Sequence, residues 1–139
     1  MPKVLIVDDK EQNLFVLRNF FKLFFKNSII ELFEAKNSID AIRMIKEHKP
    51  DLVLLDIRLE TEDAGLKVAE EIRNTPEVKE TVIWALTAQA IKSRDSDIGD
   101  REKCLQAGCN DYFPKPFDQI ELVNKIGAQL GIKIDVKIN

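Results

Sequence analysis

Lys3-Val4-Leu5-Ile6-Val7-Asp8-Asp9 places four consecutive apolar residues directly before a pair of carboxylates. A strand with one face in water alternates apolar and polar residues. An unbroken apolar run has both faces covered, as in a parallel sheet. Leu52–Leu55 and Val82–Leu86 read the same way. Ile29–Phe33, with Glu31 inside it, reads as a strand nearer an edge, and the brief Tyr112–Phe113 completes five.

Segments with helical spacing separate these runs. Leu14, Leu17, Phe21, Phe24 and Phe25 recur at three and four, and Ile39, Ile42 and Ile45 recur at three. Val68, Ala69 and Ile72 form a shorter stripe, and Leu105 with Ala107 sits in another. The last stripe is Ile120, Val123, Ile126 and Leu130, opened by Asp118 with Glu121 three residues later and closed by Gly131. Strand and helix thus alternate five times, which predicts an α/β fold: a five-stranded parallel sheet flanked by five helices on both faces. We expect one domain over residues 1–131 and a short C-terminal tail over 132–139. The tail's alternation of Ile132, Ile134, Val136 and Ile138 suits either an edge strand or packing beside the last helix. Polar Gln89–Gly99 reads as an exposed loop.

At 139 residues the chain suits one domain, and 45% hydrophobic with 32% charged residues is globular composition. Lys and Arg number 21 against 24 Asp and Glu, a net charge of −3, so no basic excess points to nucleic acid. Two cysteines make no disulfide framework, no signal peptide opens the chain, and no apolar run approaches a membrane span. A cytoplasmic protein with neither nucleic-acid nor membrane partner is expected. The single histidine, His48, excludes a histidine-based zinc site or serine triad, and no phosphate-binding glycine motif occurs.

In open parallel sheets ligands gather beyond the carboxyl ends of the strands. There the chain offers Asp8 and Asp9 after the first strand, Asp56 after the third, Thr87 at the end of the fourth, and Lys115 with Pro116 after the fifth. Singly, each has an ordinary reading: a helix cap, a turn residue, a solvated lysine. Together they repel. Two unit charges about 4 Å apart cost roughly 4 kcal/mol at an effective dielectric near 20, and one lysine neutralises only one carboxylate. Oxygen-only ligands favour Mg²⁺ over zinc, so a divalent-cation site beside a phosphoryl-transfer centre fits.

Val4–Asp9, Leu54-Leu55-Asp56, Ala85-Leu86-Thr87-Ala88, Ala107-Gly108-Cys109-Asn110-Asp111-Tyr112 and Lys115-Pro116-Phe117, in this order from about Lys3 to Leu130, together resemble the receiver domain of two-component response regulators. The resemblance implies a flavodoxin-like fold with strand order 2-1-3-4-5. It implies that Asp56 accepts a phosphoryl group from a phosphohistidine on a histidine kinase or histidine phosphotransfer protein. Mg²⁺ would be held by Asp9 and Asp56, by Asp8 through water, and by the backbone carbonyl of Arg58. Lys115, before a cis bond to Pro116, would pair with Asp56 and then with phosphoryl oxygens. Thr87 would move toward the phosphoryl group and Tyr112 would turn inward, a two-state switch read by a downstream protein. The first helix would dock the histidine-bearing partner through Asn13, Val16 and Phe20, on an apolar arc wider than one buried face needs. A stand-alone regulator is expected, with a phosphorylation-independent scaffold as the alternative. An aspartyl phosphatase is disfavoured, because Arg58 stands where such enzymes carry a general acid.

Three features depart from the family pattern. Arg58–Gly65 lacks the usual proline and is slightly longer; Arg58 itself occupies a position that influences acyl-phosphate lifetime, where its guanidinium could shield the phosphoryl group from water. The stretch from Thr87 to Cys104 is long. Pro114 directly precedes Lys115 and stiffens its approach.

Overall fold

The computed structural model describes residues 1–26, 29–88, 91–92, 94 and 97–134. Ten elements alternate: β1 (Lys3–Val7), α1 (Glu11–Phe24), β2 (Glu31–Ala35), α2 (Ser38–His48), β3 (Leu52–Asp56), α3 (Ala64–Arg73), β4 (Ile83–Thr87), α4 (Asp100–Ala107), β5 (Asp111–Pro114) and α5 (Gln119–Leu130). The five strands form one parallel sheet in the order β2-β1-β3-β4-β5. This is the architecture the alternation and the resemblance predicted.

Because neighbouring residues of a strand face opposite ways, each central strand feeds two cores. Leu5, Val7, Val53, Leu55, Ile83 and Ala85 pack with residues of α2, α3 and α4. Val4, Ile6, Leu52, Leu54, Trp84 and Leu86 pack with α1 and α5. Every residue of β3 and β4 is buried, which explains why each strand is apolar up to its last residue, Asp56 or Thr87. The edge strand β2 starts at Glu31 rather than Ile29, which lies exposed outside it. Ile39 also faces solvent, 78% exposed in the first turn of α2, where only Ile42 and Ile45 of its stripe reach inward.

The helix ends follow local chemistry. Asn37 caps α2 by accepting from the Asp40 amide at 2.8 Å. Asp118 caps α5 by accepting from the amides of Ile120 and Glu121 at 2.9 and 3.2 Å, as its spacing predicted. Gly131 ends α5 with φ 69°, and the Ile132 amide then donates to the Gly127 carbonyl at 2.8 Å. Ile132 and Ile134 pack against the α1–α5 core, so this part of the tail lies beside the last helix. Val136 and Ile138 lie outside the described residues.

Phe20 corrects the expected exposed arc of α1. It is buried at 4% exposure among Phe21, Phe24 and Phe25, with Phe117 edge-on at 6.2 Å. The β5–α5 connection reaches across and covers that flank, so the wide apolar arc is mostly core. Phe15, Val16 and Leu23 remain exposed.

Within the long β4–α4 connection, Gln89, Ala90, Ser93, Asp95 and Ser96 lie outside the described residues. Ile91, by contrast, is buried rather than exposed; its amide donates to Asp100 at 3.0 Å and its carbonyl accepts from the Lys103 ammonium. Arg94 reaches α3, bonding both carboxylate oxygens of Glu70 at 2.7 and 3.0 Å and Asp63 at 3.3 Å.

Candidate phosphoacceptor site

The C-terminal ends of β1, β3 and β4 and the segment after β5 converge on one rim. Parallel pairing sets Val7 beside Leu55, Asp56 beside Leu86 and Thr87 beside Pro114. The residues singled out at strand ends therefore arrive together, around a cleft of about 70 Å³ lined by Asp9, Asn13, Asp56, Arg58, Thr87 and Lys115 among others.

Asp8 is almost wholly buried, at 1% exposure. Its Oδ1 accepts from the Lys10 amide at 2.9 Å and the Asn13 side-chain amide at 3.2 Å. Its Oδ2 takes the Lys115 ammonium at 3.0 Å. Asp9 projects into solvent. Asp56 is 8% exposed, accepts from the Arg58 amide at 3.2 Å, and lies 3.6 Å from the Lys115 ammonium. One oxygen from each of Asp8, Asp9 and Asp56 falls within 4.8 Å of the others.

Burial and this crowding act on Asp56. Desolvation pushes its carboxyl up to about 7, Lys115 pulls downward, and the Asp8 charge pushes upward again. A carboxylate so disfavoured invites a cation, and an all-oxygen donor set opening onto a cleft fits a hard divalent ion. The residues present fit Mg²⁺.

Lys115 is held at both ends. Its amide donates to the Thr87 carbonyl at 2.8 Å, and its bond to Pro116 is cis, as expected. Pro114, the last residue of β5, lies beside Thr87. Thr87 is buried at 4% exposure, and Tyr112 is half-buried on β5 against the α2–α4 core. Arg58 extends an exposed side chain at the mouth of the cleft. Gly65 is the tightest contact nearby. Its amide donates to the Ile57 carbonyl at 2.7 Å, and a Cβ there would lie 2.5 Å from the Asp56 carbonyl oxygen and the Ile57 Cα.

Val16 is exposed on α1, whereas Phe20 is not. Asn13 turns toward Asp8 and lines the cleft, a placement that helical periodicity does not reveal. Phe15, 57% exposed, was not singled out from the sequence; its place outside the 14, 17, 21 stripe is the only signal that marks it.

A sheet of this order with paired acids, a lysine and a hydroxyl at one rim defines a receiver-type α/β module. The response regulator receiver domain model matches residues 4–127, and the chain belongs to that family, the phospho-accepting switches of two-component and phosphorelay signalling. It is 34% identical over 132 residues to the polar-differentiation response regulator DivK of Brucella anthropi, covering 94% of this chain and 98% of that protein. Among solved structures it resembles the receiver domain of a Pseudomonas aeruginosa sensor histidine kinase, determined with a magnesium ion in its active-site cleft. That match has 32% identity and TM-score 0.75, and covers 94% of this chain and 98% of that one. It also resembles the receiver domain of the Saccharomyces cerevisiae response regulator Ssk1, co-crystallised with the histidine phosphotransfer protein Ypd1. Here identity is 29% and TM-score 0.73, covering 94% of this chain and 89% of that one. Among the described residues no helix is long and apolar enough to cross a membrane.

Proposed function

We propose that Asp56 is the phosphoacceptor. The observation that carries this is its position: a buried carboxylate at a cleft, 3.6 Å from the Lys115 ammonium, with the oxygens of Asp8 and Asp9 close by. An Asp56 oxygen attacks the phosphorus of a partner phosphohistidine, the P–N bond breaks, and the imidazole leaves with the electron pair. A carboxylate is a modest nucleophile, so alignment and charge neutralisation carry the rate. Asp9, Asp56 and the Arg58 carbonyl would hold Mg²⁺, with Asp8 assisting through water. Bound there, the cation would offset charge on the acceptor and on the transferred phosphoryl oxygens. Asp8 meanwhile keeps the Lys115 ammonium at the rim, where it can move onto a phosphoryl oxygen.

Phosphorylation brings nearly two negative charges and three acceptor oxygens. The Thr87 hydroxyl donates to one of them, and Tyr112 follows into the space behind it. The face built from α4, β5 and α5 then changes for a downstream protein. The partner histidine kinase or phosphotransfer protein docks on α1 beside the cleft, where Asn13 lines the site and Val16, with Phe15, offers exposed apolar surface. In this reading the protein assists its own phosphorylation and dephosphorylation but is not a turnover enzyme. Its two free cysteines suit a reducing cytoplasm.

Incubation with a small phosphodonor and Mg²⁺ tests the assignment. Wild type should take up one acid-stable, base-labile phosphoryl group, and Asp56→Asn none. Equal labelling of the two proteins would refute it.

A further inference from the structure

The only two cysteines of the chain meet at the C-terminal end of α4. That helix closes with two reversed backbone bonds, from the Gly108 amide to the Leu105 carbonyl at 3.1 Å and from the Cys109 amide to the Cys104 carbonyl at 3.0 Å. Gly108 takes φ 113°, a left-handed turn that side chains disfavour. This terminator folds the residue after the glycine back onto the helix residue five positions earlier, a contact usually made by two apolar side chains. Here both are cysteines. They are free, buried at 0% and 5% exposure, and lie in the same core cluster, close enough for each thiol to shift the other's proton affinity.

We propose that Cys104 and Cys109 form a reversible, peroxide-oxidised disulfide that staples the end of α4 to the start of β5. Three surroundings support it. The neighbouring Cys109 thiol holds Cys104 below the usual thiol range, favouring its thiolate. Its neighbour Cys104 and burial push the Cys109 thiol up. Arg73 wraps the turn, its Nε donating to the Gly108 carbonyl at 2.9 Å, and its positive charge favours the Cys109 thiolate once the pair reacts.

Access comes through the helix rather than the surface. α4 is eight residues long, and the Gly99 cap supplies no side-chain bond. Its only buried residues are Lys103, Cys104 and Ala107. A helix this short with so few apolar anchors opens locally at low cost, and hydrogen peroxide is small and neutral.

The chemistry balances. The Cys104 thiolate attacks one peroxide oxygen; an S–O bond forms, the O–O bond breaks, and hydroxide leaves to become water. The Cys109 thiolate then displaces hydroxide from the Cys104 sulfenic acid, forming the S–S bond and a second water. Two thiols lose two electrons and two protons, and one peroxide becomes two waters. The product borders Tyr112, which packs against the core containing both cysteines.

The reduced full-length chain, exposed to excess hydrogen peroxide, should fall from two titratable thiols to none while staying monomeric. Its mass should drop by two hydrogen atoms, with a peptide crosslink between Cys104 and Cys109, and dithiothreitol should restore both thiols. In Cys109→Ala the resolving sulfur is gone, so dimedone should capture a sulfenic acid at Cys104. The wild-type measurement stands whether or not that variant folds. The proposal is overturned if both thiols survive in the native chain while a urea-unfolded sample oxidises, or if oxidation gives only intermolecular dimers or sulfinic acid.

Discussion

Asp8 and Lys115, 107 residues apart in sequence, meet at 3.0 Å with the carboxylate almost wholly buried. The ion pair closes the rim of the sheet, joining the end of β1 to the segment beyond β5. It also offsets part of the charge where three carboxylates gather: the lysine is shared, nearer to Asp8 than to Asp56.

Removing that lysine should therefore be felt twice. Lys115→Ala leaves Asp8 buried without its counter-charge, and stripping one partner from a buried pair costs about 3 kcal/mol. A urea titration without Mg²⁺ should show the loss, and Asp8→Asn in the Lys115→Ala background should restore part of it. Labelling by a small phosphodonor should fall roughly 100-fold, as expected when one electrostatic stabiliser of a transition state is removed.

Asp56 predicts a pH dependence of stability. Its folded carboxyl is pushed up to about 7, first by burial, so the folded state holds a proton there that the unfolded chain releases near 4. This group's stabilising contribution is complete at low pH and is lost as pH rises through about 7. Asp56→Asn removes the effect. Without Mg²⁺ the variant should be more stable than wild type by a few kcal/mol at about pH 8, and the gap should shrink toward about pH 5. Thermal melts at several pH values would read it. Added Mg²⁺ should raise the wild-type melting temperature and leave that of the variant nearly unchanged.

Two neighbours on α1 should separate docking from packing. Val16→Asp should leave melting temperature and small-donor labelling near wild type while slowing transfer from a phosphohistidine partner about tenfold. Phe20→Ala should instead destabilise the fold by about 3–5 kcal/mol, because it empties an aromatic cluster closed by Phe117. A normal transfer rate in Val16→Asp would remove Val16 from the docking surface.

Arg58 projects at the mouth of the cleft, so its guanidinium can lie over the phosphoryl group and hinder water. Arg58→Ala should shorten the phosphoryl half-life several-fold with uptake unchanged. An unaltered decay curve would leave that arginine as a solvated side chain.

Much of this was legible in the chain because the central strands leave little choice. Val4–Val7, Leu52–Leu55 and the apolar run before Thr87 each tolerate burial on both faces, and the groups that follow them must emerge at one rim. What escaped depends on contacts distant in sequence. Helical periodicity recognised that Phe20 is apolar but could not show Phe117 lying across it. The same rule counted Ile39 inward, although the first turn of α2 stands clear of the sheet. Asn13 was read by its position on a helix, whereas its amide is spent on Asp8, five residues back across the β1–α1 turn. Single side chains whose partners come from another segment carry no periodic signature.

The close seat of Gly65 divides its loop into two unequal territories. With no space for even a methyl group against the Asp56 carbonyl and the Ile57 Cα, that residue rivets the start of α3 to the acceptor strand. Growth or shrinkage of the loop must then be absorbed upstream, between Arg58 and Asp63. A grafted epitope or reporter belongs in that upstream stretch; one placed at the rivet would displace the strand that presents Asp56.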